Sequence, residues 1–103
     1  MALGPEVRQA IEEVMRQQFD MVPITSVDVE EDEDFYGVPI LRVRMVYDAQ
    51  VKDLDRQRLA SITRHLRDRL WDLGEERFPH TAFVSLSDIK HPRHRRRHKS
   101  EAA

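Results

Sequence analysis

The stretch ITSVDVEEDEDFYGVPILRVRMVY, residues 24–47, decides the fold. In its first part Val27 and Val29 alternate with Asp28 and Glu30. In its last part Leu41, Val43, Met45 and Tyr47 alternate with Arg42, Arg44 and Val46. A period of two sends successive side chains to opposite faces, so the pattern predicts an antiparallel hairpin with one buried face. Between the strands, Asp32-Glu33-Asp34-Phe35-Tyr36-Gly37 reads as a loop whose glycine can take a positive φ. The outward faces then offer carboxylates on the first strand and guanidinium groups on the second. Such cross-strand pairs contribute about 0.2–1 kcal/mol each and help fix the register.

On either side of the hairpin the period changes. Val7, Ala10, Ile11, Val14, Met15 and Phe19 recur at three- and four-residue steps, which predicts an amphipathic helix from Pro5 to Phe19. Pro5 suits the first helical position, and Pro23 forbids continuation. After the hairpin, Asp53 or Asp55 can cap a second helix whose stripe is Leu59, Ile62, Leu66, Leu70 and Leu73, with Trp71 at its edge. Gly74 ends that helix as a left-handed cap. Beyond Phe78-Pro79, the apolar run from Thr81 to Leu86 has the length of a strand. Two helices bury their stripes together only on one face of a small sheet. The expected fold is therefore α+β, a two-layer sandwich in the order α-β-β-α-β, with two helices on one face of a three-stranded mixed sheet. The second helix is a crossover, so the last strand should run parallel to the second.

A chain of 103 residues holds one core, here expected in residues 1–89, followed by a basic tail, residues 90–103. Charged residues make up 35%, well above the usual quarter or so, which suits a small core under a highly charged surface. The net charge of −2 conceals two opposed blocks. The tail carries six Lys or Arg against Glu101, and the first 89 residues carry 11 basic and 18 acidic residues, so the body stands at −7 and the tail at +5. No apolar run approaches the roughly 18 residues of a membrane span, no leader opens the chain, and there is no cysteine; a soluble cytoplasmic protein is the expectation.

No chemistry-bearing motif can be placed. None of the five serines lies in a glycine-flanked elbow, and three glycines in the whole chain cannot make a phosphate cradle. The carboxylates at Glu30, Glu31, Asp32, Glu33 and Asp34 lack the spacing of an EF-hand, and His91, His94 and His98 sit among cations that would repel a metal, so neither a metal nor a cofactor is expected. What remains is charge. Asp28, Glu30, Glu31, Asp32, Glu33 and Asp34 repel one another and suit a basic partner, with Phe35 and Tyr36 beside them as anchors. The competing reading places RNA or DNA on the tail, through Lys90, Arg93, Arg95, Arg96, Arg97 and Lys99, together with Arg42 and Arg44 on the open sheet face. The tail offers no aromatic residue on which bases could stack.

The order of elements resembles that of type II KH and BolA-like domains. However, Gly74-Glu75-Glu76-Arg77 lacks the second glycine of a KH G-x-x-G loop and is acidic, and no BolA-type helix-turn-helix can be placed. A nearer likeness runs through Asp34-Phe35-Tyr36-Gly37-Val38-Pro39-Ile40-Leu41-Arg42-Val43, Val46-Tyr47-Asp48 and Gly74-Glu75-Glu76-Arg77-Phe78-Pro79. Over residues 5–89 the chain is similar to short bacterial proteins that look like the small, antitoxin-like partner in two-gene toxin–antitoxin-type cassettes. That resemblance implies a non-catalytic protein docking a more basic partner encoded nearby, and supplies no catalytic residues. The histidine- and arginine-rich tail departs from the short lysine-containing end of such proteins.

Overall fold

The computed structural model describes residues 3–90, the side chains of the last two excepted. Helix α1 (Pro5–Gln18) begins at Gly4 with Pro5 in its first turn and buries Ala10, Ile11, Val14 and Met15. Strands β1 (Ile24–Glu33) and β2 (Pro39–Tyr47) form the hairpin, with Val29 opposite Val43, Asp28 opposite Arg44 and Glu30 opposite Arg42. A short 3-10 turn at Val51–Asp53 leads to α2 (Arg56–Asp72). Its cap is Asp55, whose side chain accepts hydrogen bonds from the backbone N–H groups of Gln57 and Arg58; Asp53 instead caps the 3-10 turn. At the other end, Gly74 takes φ 75° while Glu75 and Gly74 donate to the carbonyls of Leu70 and Trp71, which closes a Schellman motif.

Strand β3 (Phe78–Ser85) runs parallel to β2, and the sheet order is β1-β2-β3. The α-β-β-α-β order and the mixed sheet are as the periodicities predict. A third, short helix, α3 (Leu86–Lys90), follows β3. Two boundaries differ from the sequence reading. Strand β3 begins at Phe78 because that residue is in register with Ile40. Strand β1 runs on through Asp32 and Glu33, opposite Ile40 and Pro39, so the loop shrinks to residues 34–38.

Strand parity divides the sheet. Val27, Val29, Leu41, Val43, Met45, Tyr47 and Phe83 face the helices and join Ile11, Met15, Phe19, Ile62, Leu66 and Leu70 in one core. Phe83 meets Phe19 edge to face at 5.1 Å between ring centroids. The opposite face presents Asp28, Glu30, Asp32, Arg42, Arg44, His80 and Ala82. No helix among the described residues is long and apolar enough to cross a membrane.

Candidate docking surface

The end of the hairpin is built around Asp34. Its N–H donates to the Val38 carbonyl at 2.9 Å, and its own carbonyl accepts from Gly37 N–H at 3.0 Å. Its carboxylate accepts from the backbone N–H groups of Tyr36 and Val38, at 2.8 and 2.9 Å. Gly37 completes the turn at φ 80°, where a side chain would be strained. Asp34 is thus the organiser of the loop, its charge spent on backbone donors. The loop holds up Phe35 and Tyr36, which are 94% and 84% exposed and touch edge to face at 5.3 Å between centroids.

The acidic run divides by parity and by partner. Glu31 reaches Arg77 at 3.0 Å, and Arg77 is also clamped by Glu75, so this cation, 12% exposed, ties the entry of β3 to β1 across the sheet. The Arg77 guanidinium holds the Glu75 carboxyl below its usual range, against the opposing effect of burial. Asp32 pairs with Arg42, and that guanidinium lowers its carboxyl in the same way. Asp28, Glu30 and Glu33 have no ion-pair partner among the described residues. Of the eight residues expected to bind a partner, five therefore present unspent chemistry: three carboxylates and two aromatic rings.

Of the residues expected to bind nucleic acid, Arg42 and Arg44 are the two whose side chains are described. Arg42 is engaged by Asp32, and Arg44 stands opposite Asp28. They line a shallow groove of about 540 Å³ on the open sheet face with Asp28, Glu30, His80 and, reaching round the β1 edge, Arg8. That groove carries both signs of charge. Arg93, Arg95, Arg96, Arg97 and Lys99 lie outside the described residues, as does the side chain of Lys90. Among the described residues no group of three His, Asp or Glu side chains is placed to hold a metal ion.

A second exposed cluster brings together Trp71 and Phe78, which the sequence offers as separate aromatic anchors. Trp71 is 71% exposed on α2, and the Arg67 guanidinium lies 5.2 Å from the ring centroid of Phe78, which in turn stacks edge to face on His80. Trp71 marks the edge of the apolar stripe in sequence, but nothing there shows that Arg67 and Phe78 meet beside it. Compared with models of known protein families, with curated proteins and with solved structures, the chain matches none.

Proposed function

We propose that this is a non-catalytic docking protein whose hairpin end binds a more basic partner protein, in the manner of the antitoxin-like subunit its sequence resembles. The observation that carries the reading is the pair Phe35 and Tyr36: two aromatic rings almost wholly in solvent, on a turn closed by four hydrogen bonds to and from Asp34. Exposed aromatics cost solubility unless something covers them, and a rigid platform loses little entropy when it is covered. Glu33, at the end of β1, and Glu30, three residues further along it, have no ion-pair partner among the described residues, so a cationic surface would find both charge and contact. Charge of this kind raises association rates about 10- to 1,000-fold, while buried aromatic anchors set the dissociation rate.

The test is co-purification with the product of an adjacent gene. Phe35→Ala with Tyr36→Ala should abolish capture of a stoichiometric basic protein, and Glu30→Lys with Glu33→Lys should slow its association. Unchanged capture by both double variants sinks the reading. Nuclease-sensitive material released by salt, and lost on truncation after Ile89, would move the function to the tail instead.

A further inference from the structure

We infer that the chain forms a two-fold dimer in which β3 pairs antiparallel with the β3 of a second copy and the two α2 helices lie side by side. Strand β3 is an outer strand of the sheet, and its eight residues include no Asp, Glu, Lys or Arg. Half of its backbone groups point away from β2, and no backbone hydrogen bond among the described residues reaches them. Natural sheets blunt such edges with charge, proline or a covering element. Among the described residues only Pro79, near the start of the strand, serves, and none of them pairs with the outer edge of the six residues beyond it.

The occupant is indicated by α2. That helix spans about 25 Å and β3 about 26 Å. The short link through residues 74–77 sets the end of one level with the start of the other. A two-fold axis through the middle of β3 therefore passes near the middle of α2. The side of α2 that turns away from α1, where Arg67 reaches Phe78, is a groove formed by Ala60, Thr63, Arg64, Arg67, Asp68 and Trp71. Its charges are polarised along the axis. Arg56, in the first turn, Arg64, at the midpoint, and Asp68 and Asp72, in the second half, form no ion pair among the described residues, while Arg67 lies against the Phe78 ring. An antiparallel copy is complementary to that arrangement, whereas a parallel one is not. Seating Trp71 over the partner's Ala60 brings Asp68 beside the partner's Arg64, and the same contact repeats across the axis, as an isologous interface requires. The six-stranded sheet that results leaves β1, with its carboxylates, at both outer edges.

The inference does not rest on the hairpin end, which joins β1 to β2 beyond the level where Ile40 meets Phe78. The experiment is sedimentation and light scattering on the full chain over a wide concentration range, with circular dichroism as the control for folding. The wild-type chain should show twice the 12.2 kDa of one copy. Trp71→Ala should weaken self-association roughly tenfold or more. Ala82→Glu should do the same, because it sets two carboxylates across the axis while sitting beside Arg44 within its own chain. Asp68→Arg should weaken the dimer, and adding Arg64→Asp should restore it, an outcome no unfolding effect would give. A chain that stays monomeric at all concentrations overturns the inference. So does a dimer indifferent to Trp71→Ala and to the charge swap, or a groove found to carry nucleic acid through Trp71 and Arg67.

Discussion

The two outer strands of this sheet are protected in opposite ways. Strand β1 carries five carboxylates in ten residues, its Val29 carbonyl is taken by the Arg8 guanidinium at 3.1 Å, and only Val29 along its length is fully buried. Strand β3 carries no formal charge and is held by the core, through Phe83 against Phe19 and through Pro79 and Ser85, both buried. One edge is made unattractive to other strands by electrostatics and is anchored weakly; the other is anchored firmly and left open. A protein with a single face to hide would gain from blunting both edges. The asymmetry suits a molecule that contacts different neighbours on its two sides.

Substitutions can break or sharpen this contrast. The largest effect is expected at β3: Phe83→Ala removes its stacking on Phe19 and should cost about 3 kcal/mol in urea unfolding, more than any single polar change along β1. Next comes the link between the edges. Arg77→Met leaves Glu75 and Glu31 facing each other without their shared cation, and should cost about 2 kcal/mol. The same cluster sets a pH dependence. Because Glu75 is held below its usual range in the folded chain, it contributes stability that is present at neutral pH and lost as pH falls through that lowered value. Glu75→Gln should therefore flatten the stability profile below about pH 4, and an unchanged acid limb would show that the cluster contributes nothing.

Smaller effects follow at the acidic edge. Arg8→Met frees the Val29 carbonyl to water and should cost about 1 kcal/mol, with hydrogen exchange rising along β1 and not along β3. Least of all is Tyr47→Phe. The Tyr47 hydroxyl is buried at the end of the central strand with no hydrogen-bond partner among the described residues, and burial with Asp88 and Asp53 nearby pushes its ionisation up. Its removal should leave stability within about 0.5 kcal/mol of wild type or raise it slightly. A large loss would reveal a bond that the geometry does not show.

The contrast between edges was partly legible beforehand. Alternation of Val27 and Val29 with Asp28 and Glu30 is enough to assign the faces of β1, and the stripe from Leu59 to Leu70 with Gly74 after it is enough for α2 and its end. The loop was read too long because Asp and Glu are poor strand formers, and Asp32 and Glu33 belong to β1 only through their partners on β2. Phe35 and Tyr36 were visible as candidates, yet their exposure depends on Asp34 closing the turn, a hydrogen-bond pattern rather than a periodicity. Contacts between residues far apart in sequence, Arg77 with Glu31 and Arg67 with Phe78, leave no local trace at all.

The central strand also has a history written into it. Strand β2 meets β1 across a turn where Glu33 faces Pro39, but it meets β3 only after Ile40 finds Phe78, with the whole of α2 between them. Closing the longer loop costs about 1.5–2 kcal/mol more in chain entropy than closing the hairpin. Of the two strand pairings the hairpin is therefore the one expected to close first, on a timescale of about 1–10 μs once its residues are available. During synthesis its residues, Phe35 and Tyr36 among them, emerge first, while Leu41, Val43 and Met45 wait uncovered for α2 and β3. Until Ser85 has left the ribosome, the nascent chain has a hairpin without the strand that completes its sheet.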